Sequence, residues 1–230
     1  MLCLLCALAL LVAPRSTAYA KHANYLITLR AVVLECWDVC RSRVGLMALF
    51  VLVLPLGAGG AANIGSALSK EWRVSAGLLA VVNGLSVVAT AGGSIIGGFI
   101  CDRMDRKAAY VIFGVVGGLV AAATVFTPRT PAWFVAFGFA YSAALGLSYA
   151  GFSSVTLETI GTGAAATKYT LFASVSNIPV WLMPAIDGWA DTRWTATGML
   201  WTEFAVAAGG ALLFFAVAAM TRLRAAPAVA

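Results

Sequence analysis

The sequence predicts an all-α polytopic membrane protein: a six-transmembrane-helix bundle preceded by a partial helix and a cytoplasmic amphipathic segment. Three observations carry that expectation. Hydrophobic residues make up 62% of the chain and charged residues only 10%, where a soluble domain runs to about half apolar and about a quarter charged. A water-soluble fold of 230 residues has too little interior to hide that much apolar surface. The apolar residues also gather in long continuous runs, and the basic residues fall between those runs with a marked bias to one side.

A hydrocarbon core about 30 Å thick takes about 20 apolar residues of helix. Six runs qualify, at 44–64, 78–100, 108–126, 132–155, 169–189 and 199–220. They are separated by the polar stretches GSALSKEWRVSAG, CDRMDRK, TPRTPAW, LETIGTGAAATK and ADTRWTATG. None of the runs alternates with period two, which excludes a transmembrane β-barrel reading. With the N-terminal segment inside and sides alternating, eleven of the 15 Lys and Arg lie on the inner side. The outer side holds only Lys70, Arg73, Arg129 and Arg193. That bias predicts a cytoplasmic location for both ends of the bundle, and the Ala- and Gly-rich composition points to a bacterial inner membrane.

Residues 1–13, MLCLLCALALLVA, are apolar but too short to span alone. They read as the end of a truncated transmembrane helix. The competing reading is a secretory signal cleaved after Ala18-x-Ala20, but no basic residue precedes the apolar run. Residues 14–43 form a cytoplasmic linker. Within it Leu26, Leu29, Val33, Cys36, Trp37 and Cys40 recur at three- and four-residue intervals, with Arg30, Glu35, Asp38 and Arg41 largely off that stripe. This predicts an amphipathic helix over 22–42. Residues 221–230 are a cytoplasmic tail.

The most specific stretch is Gly97-Gly98-Phe99-Ile100-Cys101-Asp102-Arg103-Met104-Asp105-Arg106-Lys107, between the second and third spans. Paired glycines allow a neighbouring helix to approach closely. Asp102 is placed to accept hydrogen bonds from Arg side chains or a helix N-terminus, while Arg103, Arg106 and Lys107 face water or anionic headgroups. A charged loop that only enforces topology is the alternative reading. The stretch resembles the G-x-x-x-D-R-x-G-R-[RK] signature of the major facilitator superfamily, which lies between the second and third helices of each six-helix half. Position 105 is Asp where the pattern has Gly. The resemblance implies a conformational latch made of Gly98, Asp102, Arg103, Arg106 and Lys107. A weaker resemblance links Ala166-Thr167-Lys168-Tyr169, Ser174–Pro179 and Gly188-Trp189 to the muropeptide permease and acetyl-CoA transporter branch.

On this resemblance, 44–220 are the C-terminal six helices of a twelve-helix fold, moving a small solute by alternating access. The partners implied are the lipid bilayer, a small-molecule solute, and either a separate N-terminal half or a second copy of the chain; no nucleic acid is expected. A truncated fragment without activity of its own is the alternative. Carried onto the cavity-facing helices, the resemblance singles out Asn63, Asn83, Tyr141, Asn177 and Trp181 as cavity candidates. Tyr149 falls on a face similar to that of Tyr141. The third and sixth spans should sit further out. Asp187 is the proton-coupling candidate, preferred over Glu158 and Glu203, although all three fall near span ends. Pro55 with Gly57, and Pro179 with Pro184, interrupt helices within the membrane and free backbone carbonyls. The Gly93-xxx-Gly97 and Gly114-xxx-Gly118 spacings read as helix-packing faces.

Other classes lack residues. An intramembrane serine hydrolase needs a histidine base, and the single His22 lies outside every span. Neither an H-E-x-x-H motif nor a further ligand set accompanies Cys36 and Cys40, so neither a metal nor another cofactor is expected. No selectivity-ring motif supports a channel.

Overall fold

The computed structural model describes residues 25–56, 60–161 and 164–225, all of them helix, turn or loop with no strand. The segment 1–13, the Ala18-x-Ala20 site, the linker before Tyr25 and the end of the tail lie outside the described residues. Among the described residues seven helices follow one another: α1 Tyr25–Arg41, α2 Arg43–Val53, α3 Gly60–Glu71, α4 Ala76–Cys101, α5 Arg106–Val125, α6 Pro131–Ile160 and α7 Ala165–Ala225. Among the described residues four stretches are long and apolar enough to cross a membrane: α4, α5, α6 and Ala165–Thr221 of α7. The chain is therefore a helical protein of the membrane-embedded kind.

Starts are marked by side-chain caps. Ser42 accepts from the Gly45 N–H at 2.9 Å, Ser75 from Leu78 N–H at 3.2 Å and Asp105 from Ala108 N–H at 2.8 Å. Each satisfies one of the N–H groups that a first turn leaves free. Thr130 caps α6, with Pro131 in its first turn, where proline's missing N–H costs nothing.

The expected first span, 44–64, is not one helix. It is divided into α2 and α3, which are 11 and 12 residues long. Pro55 lacks an N–H, and its ring pushes the preceding residue out of the helical region. Leu54 accordingly takes φ −62°, ψ 133° and ends α2. The two pieces pack at different levels. Ala48, Val51 and Leu52 of α2 join a buried cluster with Tyr110, Val155, Ile160 and Phe214. Leu68 and Trp72, from α3 and the turn that follows it, join a second cluster with Phe134, Tyr141, Ala190 and Met199. Leu54 and Leu56, at the break, belong to the first cluster, and Gly114 packs against the break, where an added Cβ would meet the Leu56 Cβ at 2.6 Å.

The last two expected spans differ in the opposite sense. ADTRWTATG is not a nine-residue loop. Helix continues to the edge of Trp194 and Thr195, whose φ/ψ values of −132°/15° and 64°/179° break it over only two residues. α7 thus has two arms, 165–193 and 196–225, that fold back on each other. Asp187 and Glu203 demonstrate this, because they interact. Sixteen residues of straight helix would hold them about 24 Å apart.

In the bundle α5 is the most enclosed long helix, with 56% of its most apolar stretch buried, against 11% for α4. The third span, expected further out, is central within this bundle, packed between α6 and α7. α4 leans almost entirely on α6. There the Gly93 spacing acts as expected: a Cβ on Gly93 would sit 2.0 Å from the Ala143 carbonyl oxygen, and one on Gly146 of α6 2.0 Å from that of Thr90. Ser94 Oγ donates to the Gly146 carbonyl at 3.1 Å across this contact. The opposite face of α4, including Val87, Val88 and Ile95, is exposed, as a lipid-facing surface requires.

Candidate functional site

A cavity of about 220 Å³ opens between α3, α4, α5 and α6. Its apolar walls include Leu68, Trp72 and Phe134, and its polar lining comes from Asn83, Ser86, Thr90, Thr124, Tyr141 and Ser142. Four of the hydroxyls are committed to their own helices. Ser86 donates to Asn83 O, Thr90 to Ser86 O, Thr124 to Val120 O and Ser142 to Gly138 O. Two groups are left with capacity toward the cavity. One is the Asn83 amide, exposed on α4. The other is Tyr141, whose ring is buried and whose hydroxyl donates to Glu203 Oε1 in a long hydrogen bond of 3.5 Å.

Behind Tyr141 lies the most unusual cluster in the molecule. Asp187 is 0% and Glu203 4% exposed, on opposite arms of α7 and facing each other. Neither Asp187 oxygen has a hydrogen-bond partner. Among the described residues no Lys, Arg or His forms an ion pair with either group. Eight residues separate each from Thr195, about 12 Å of helix at 1.5 Å per residue. Their expected position near the span ends is therefore corrected: the helices run farther than the polar stretch implied, and the carboxyls sit two turns inside.

Of the cavity candidates, Asn83 and Tyr141 line this cavity. Asn63 falls on α3, but its side chain is not among those described. Asn177 and Trp181, one turn apart on the first arm of α7, do not line this cavity and are exposed, Trp181 by 76%. Tyr149 is also exposed. Pro179 and Pro184 lie within that arm, which stays helical through both.

The 97–107 stretch joins the end of α4 to the start of α5. Gly97 is the glycine in close contact, its added Cβ meeting Ala150 Cβ at 2.8 Å, whereas Gly98 has open space. Helix phase makes that choice: the two positions point about 100° apart, so only one can face α6. Asp102 is exposed, contributing its backbone N–H to Gly98 O. The α5 N-terminus is capped instead by Asp105, the residue that departs from the family pattern. Arg103 donates to the Phe99 carbonyl at 3.1 Å. Lys107 pairs with Glu158 at 2.9 Å and Arg106 with the same carboxylate at 3.8 Å, tying α5 to the end of α6.

Nearby, the largely buried Lys168 donates to Ile160 O at 3.3 Å. It also forms an ion pair with Glu35 of α1 at 3.5 Å, without a well-aligned hydrogen bond to that oxygen. At the opposite end Arg129 pairs with Glu71 and donates to Thr197 Oγ1. The two sets of ion pairs therefore lie at opposite ends of the bundle. Sequence reasoning overlooked Glu158 and Glu71 as pairing partners, because only the fold brings them to those cations.

Cys36 and Cys40 are free thiols on α1. Burial, and then the neighbouring Cys36, push the Cys40 thiol above its ordinary range, which disfavours the thiolate a metal needs. Among the described residues no group of three or more His, Cys, Asp and Glu is placed to hold a metal. No protein-family model matches the chain, and no curated protein matches it.

Proposed function

We propose that the chain is the C-terminal six-helix half of a major facilitator secondary transporter, moving a small solute across a bacterial inner membrane by alternating access. Both ends of the bundle are cytoplasmic in this reading, Asp187 carries the coupling proton, and no catalytic chemistry is involved. The observation that carries it is the 97–107 stretch joining two membrane-length helices and pairing through Arg106 and Lys107 with Glu158 at the same bundle end. A polar latch of that kind stabilises one of two arrangements, and its release permits the other. The broken first span and the adjacent cavity add support, since discontinuous helices accompany substrate sites in transporters.

A partner half follows from the exposed face of α7. Asn177 sits there beside Trp181, and an unpaired amide facing lipid is costly. In the complete carrier that face meets a separate N-terminal half or a second copy.

The first test is the oligomeric mass in detergent, with lipid and bound detergent subtracted. A stable dimer identifies the second copy as the partner; a monomer directs the search to a separate half. Counterflow is then measured in proteoliposomes holding the complete assembly, against a panel of sugars, amino acids, peptides and nucleotide-linked solutes. Saturable exchange of one class is the expected result. Absence of exchange for every class in a correctly folded assembly would refute the transporter reading.

A further inference from the structure

The geometry points to a shared-proton site: Asp187 and Glu203 bind one proton between them across the fold-back of α7, with Tyr141 linking them to the cavity. The inference deepens the transporter reading by naming a second proton ligand and a route. The site itself stands on the cluster alone.

Two ionised carboxylates are acceptors only. Facing each other in an apolar interior, both ionised, they would repel at low dielectric and leave oxygens without donors. That is the arrangement around Asp187, whose two oxygens reach no donor. A single proton answers both problems. It halves the buried charge and turns one carboxyl into a donor to the other, as in other like-charged carboxyl pairs. Among the described residues no cation supplies a competing neutralisation. From α6 the titratable group facing the pair is Tyr141, and the two arms of α7 contribute the acids themselves. The ion pairs formed by Glu71, Arg129, Arg106, Lys107 and Glu158 lie at the bundle ends.

A proton is also a better fit than a metal cation. Sodium and calcium sites recruit about six oxygen ligands. Here two carboxyls and a phenol meet, the phenol within a cluster that includes apolar Ala190 and Met199. The route follows from Tyr141, which lines the cavity and donates to Glu203 Oε1. As cavity water hands a proton to the phenol oxygen, the phenol proton passes to Glu203. Tyr141 is left neutral, Glu203 becomes the acid, and hydroxide remains in the water.

The site also joins protonation to shape. Asp187 and Glu203 sit on separate arms, between which the helix is broken at Trp194 and Thr195, the latter with φ 64°. With the proton bound, the arms are drawn together. Without it, the like charges push them apart.

The test is infrared difference spectroscopy on the full chain in lipid nanodiscs, following the carbonyl band of a protonated carboxyl through a pH titration. The parent should show one such band, shifted in heavy water, and both Asp187→Asn and Glu203→Gln should lose it. Tyr141→Phe should retain the band but slow its appearance after a pH jump by about tenfold or more, the scale of a lost proton-transfer step. Retention of the band in both single variants would overturn the site. So would its displacement by sodium at constant pH, which would make this a metal-cation site. If a single variant fails to fold, the double amide variant decides, because a band that survives both replacements belongs elsewhere. None of these readouts requires a transported solute, so failure of counterflow leaves this result intact, and failure here leaves the transporter reading standing.

Discussion

Two groups of carboxylates in this bundle meet opposite environments. At the end joining α4 to α5, Glu158 is 36% exposed and has Arg106 and Lys107 beside it. About 12 Å from the opposite turn, Asp187 and Glu203 are buried, like-charged and, among the described residues, without a fixed cation. The Glu158 carboxylate has its countercharge within the chain. The interior pair is not balanced, so something that comes and goes must supply the positive charge. An unbalanced buried charge is costly, and a fold that keeps one usually puts it to use. The contrast separates a cluster that holds helices together from one that responds to its surroundings.

The sharpest way to break the comparison is to remove the imbalance. Replacing Asp187 by Leu and Glu203 by Met together fills the site with apolar groups of similar size. Thermal melting in detergent should rise, by an amount equivalent to about 1–4 kcal/mol, while the proton-driven uptake that the proposed transporter function requires falls to the leak rate. A fall in melting temperature would mean that the interior pair is structural, as the end cluster is. Treating the end cluster the same way should do much less. Glu158→Gln should cost about 0.5–1 kcal/mol, and added salt should erase most of that difference. The charge-swapped variant Lys107→Glu with Glu158→Lys should recover part of it. A loss well above this range, insensitive to salt, would show that the pairing with Lys107 is not an ordinary surface contact.

Much of the fold is legible in the chain, because bilayer thickness and backbone satisfaction leave long apolar runs few alternatives. Pro55 announces a break, and Leu54 takes the extended geometry that the residue before a proline favours. What sequence does not fix is how tightly the chain turns. Asp191 and Arg193 made ADTRWTATG look like a loop, yet such residues are also tolerated in the last turn of a helix that reaches water. Once the break is confined to Trp194 and Thr195, Asp187 and Glu203 lie eight residues to either side of Thr195, a symmetry that brings them level. That symmetry was present in the sequence but carried no meaning until the turn was located. The latch stretch divides in the same way. Its residue types predict a charged connection, but helix phase decides that Gly97 packs rather than Gly98, and local capping decides that Asp105 serves α5 while Asp102 faces solvent.

A third pair of titratable groups lies between the two extremes and gives the smallest expected effect. Cys36 and Cys40 are like-signed when ionised, as the interior acids are, but they sit on α1 in partial contact with solvent. Burial and then Cys36 raise the Cys40 thiol above its usual range, so at a given pH a smaller fraction is thiolate. Alkylation proceeds through the thiolate. The iodoacetamide rate at Cys40 should therefore be below that of an unperturbed thiol at mildly alkaline pH, by less than about tenfold. It should still be climbing where a free thiol has levelled off. Cys36→Ser should recover only part of the deficit, because burial is the larger cause. Site-resolved mass spectrometry of the alkylated chain measures both. If the serine variant restored the full rate, the like-charge interaction would outweigh desolvation at a half-open site. The account of the interior pair would then have to rest on repulsion between Asp187 and Glu203 more than on the apolar medium around them.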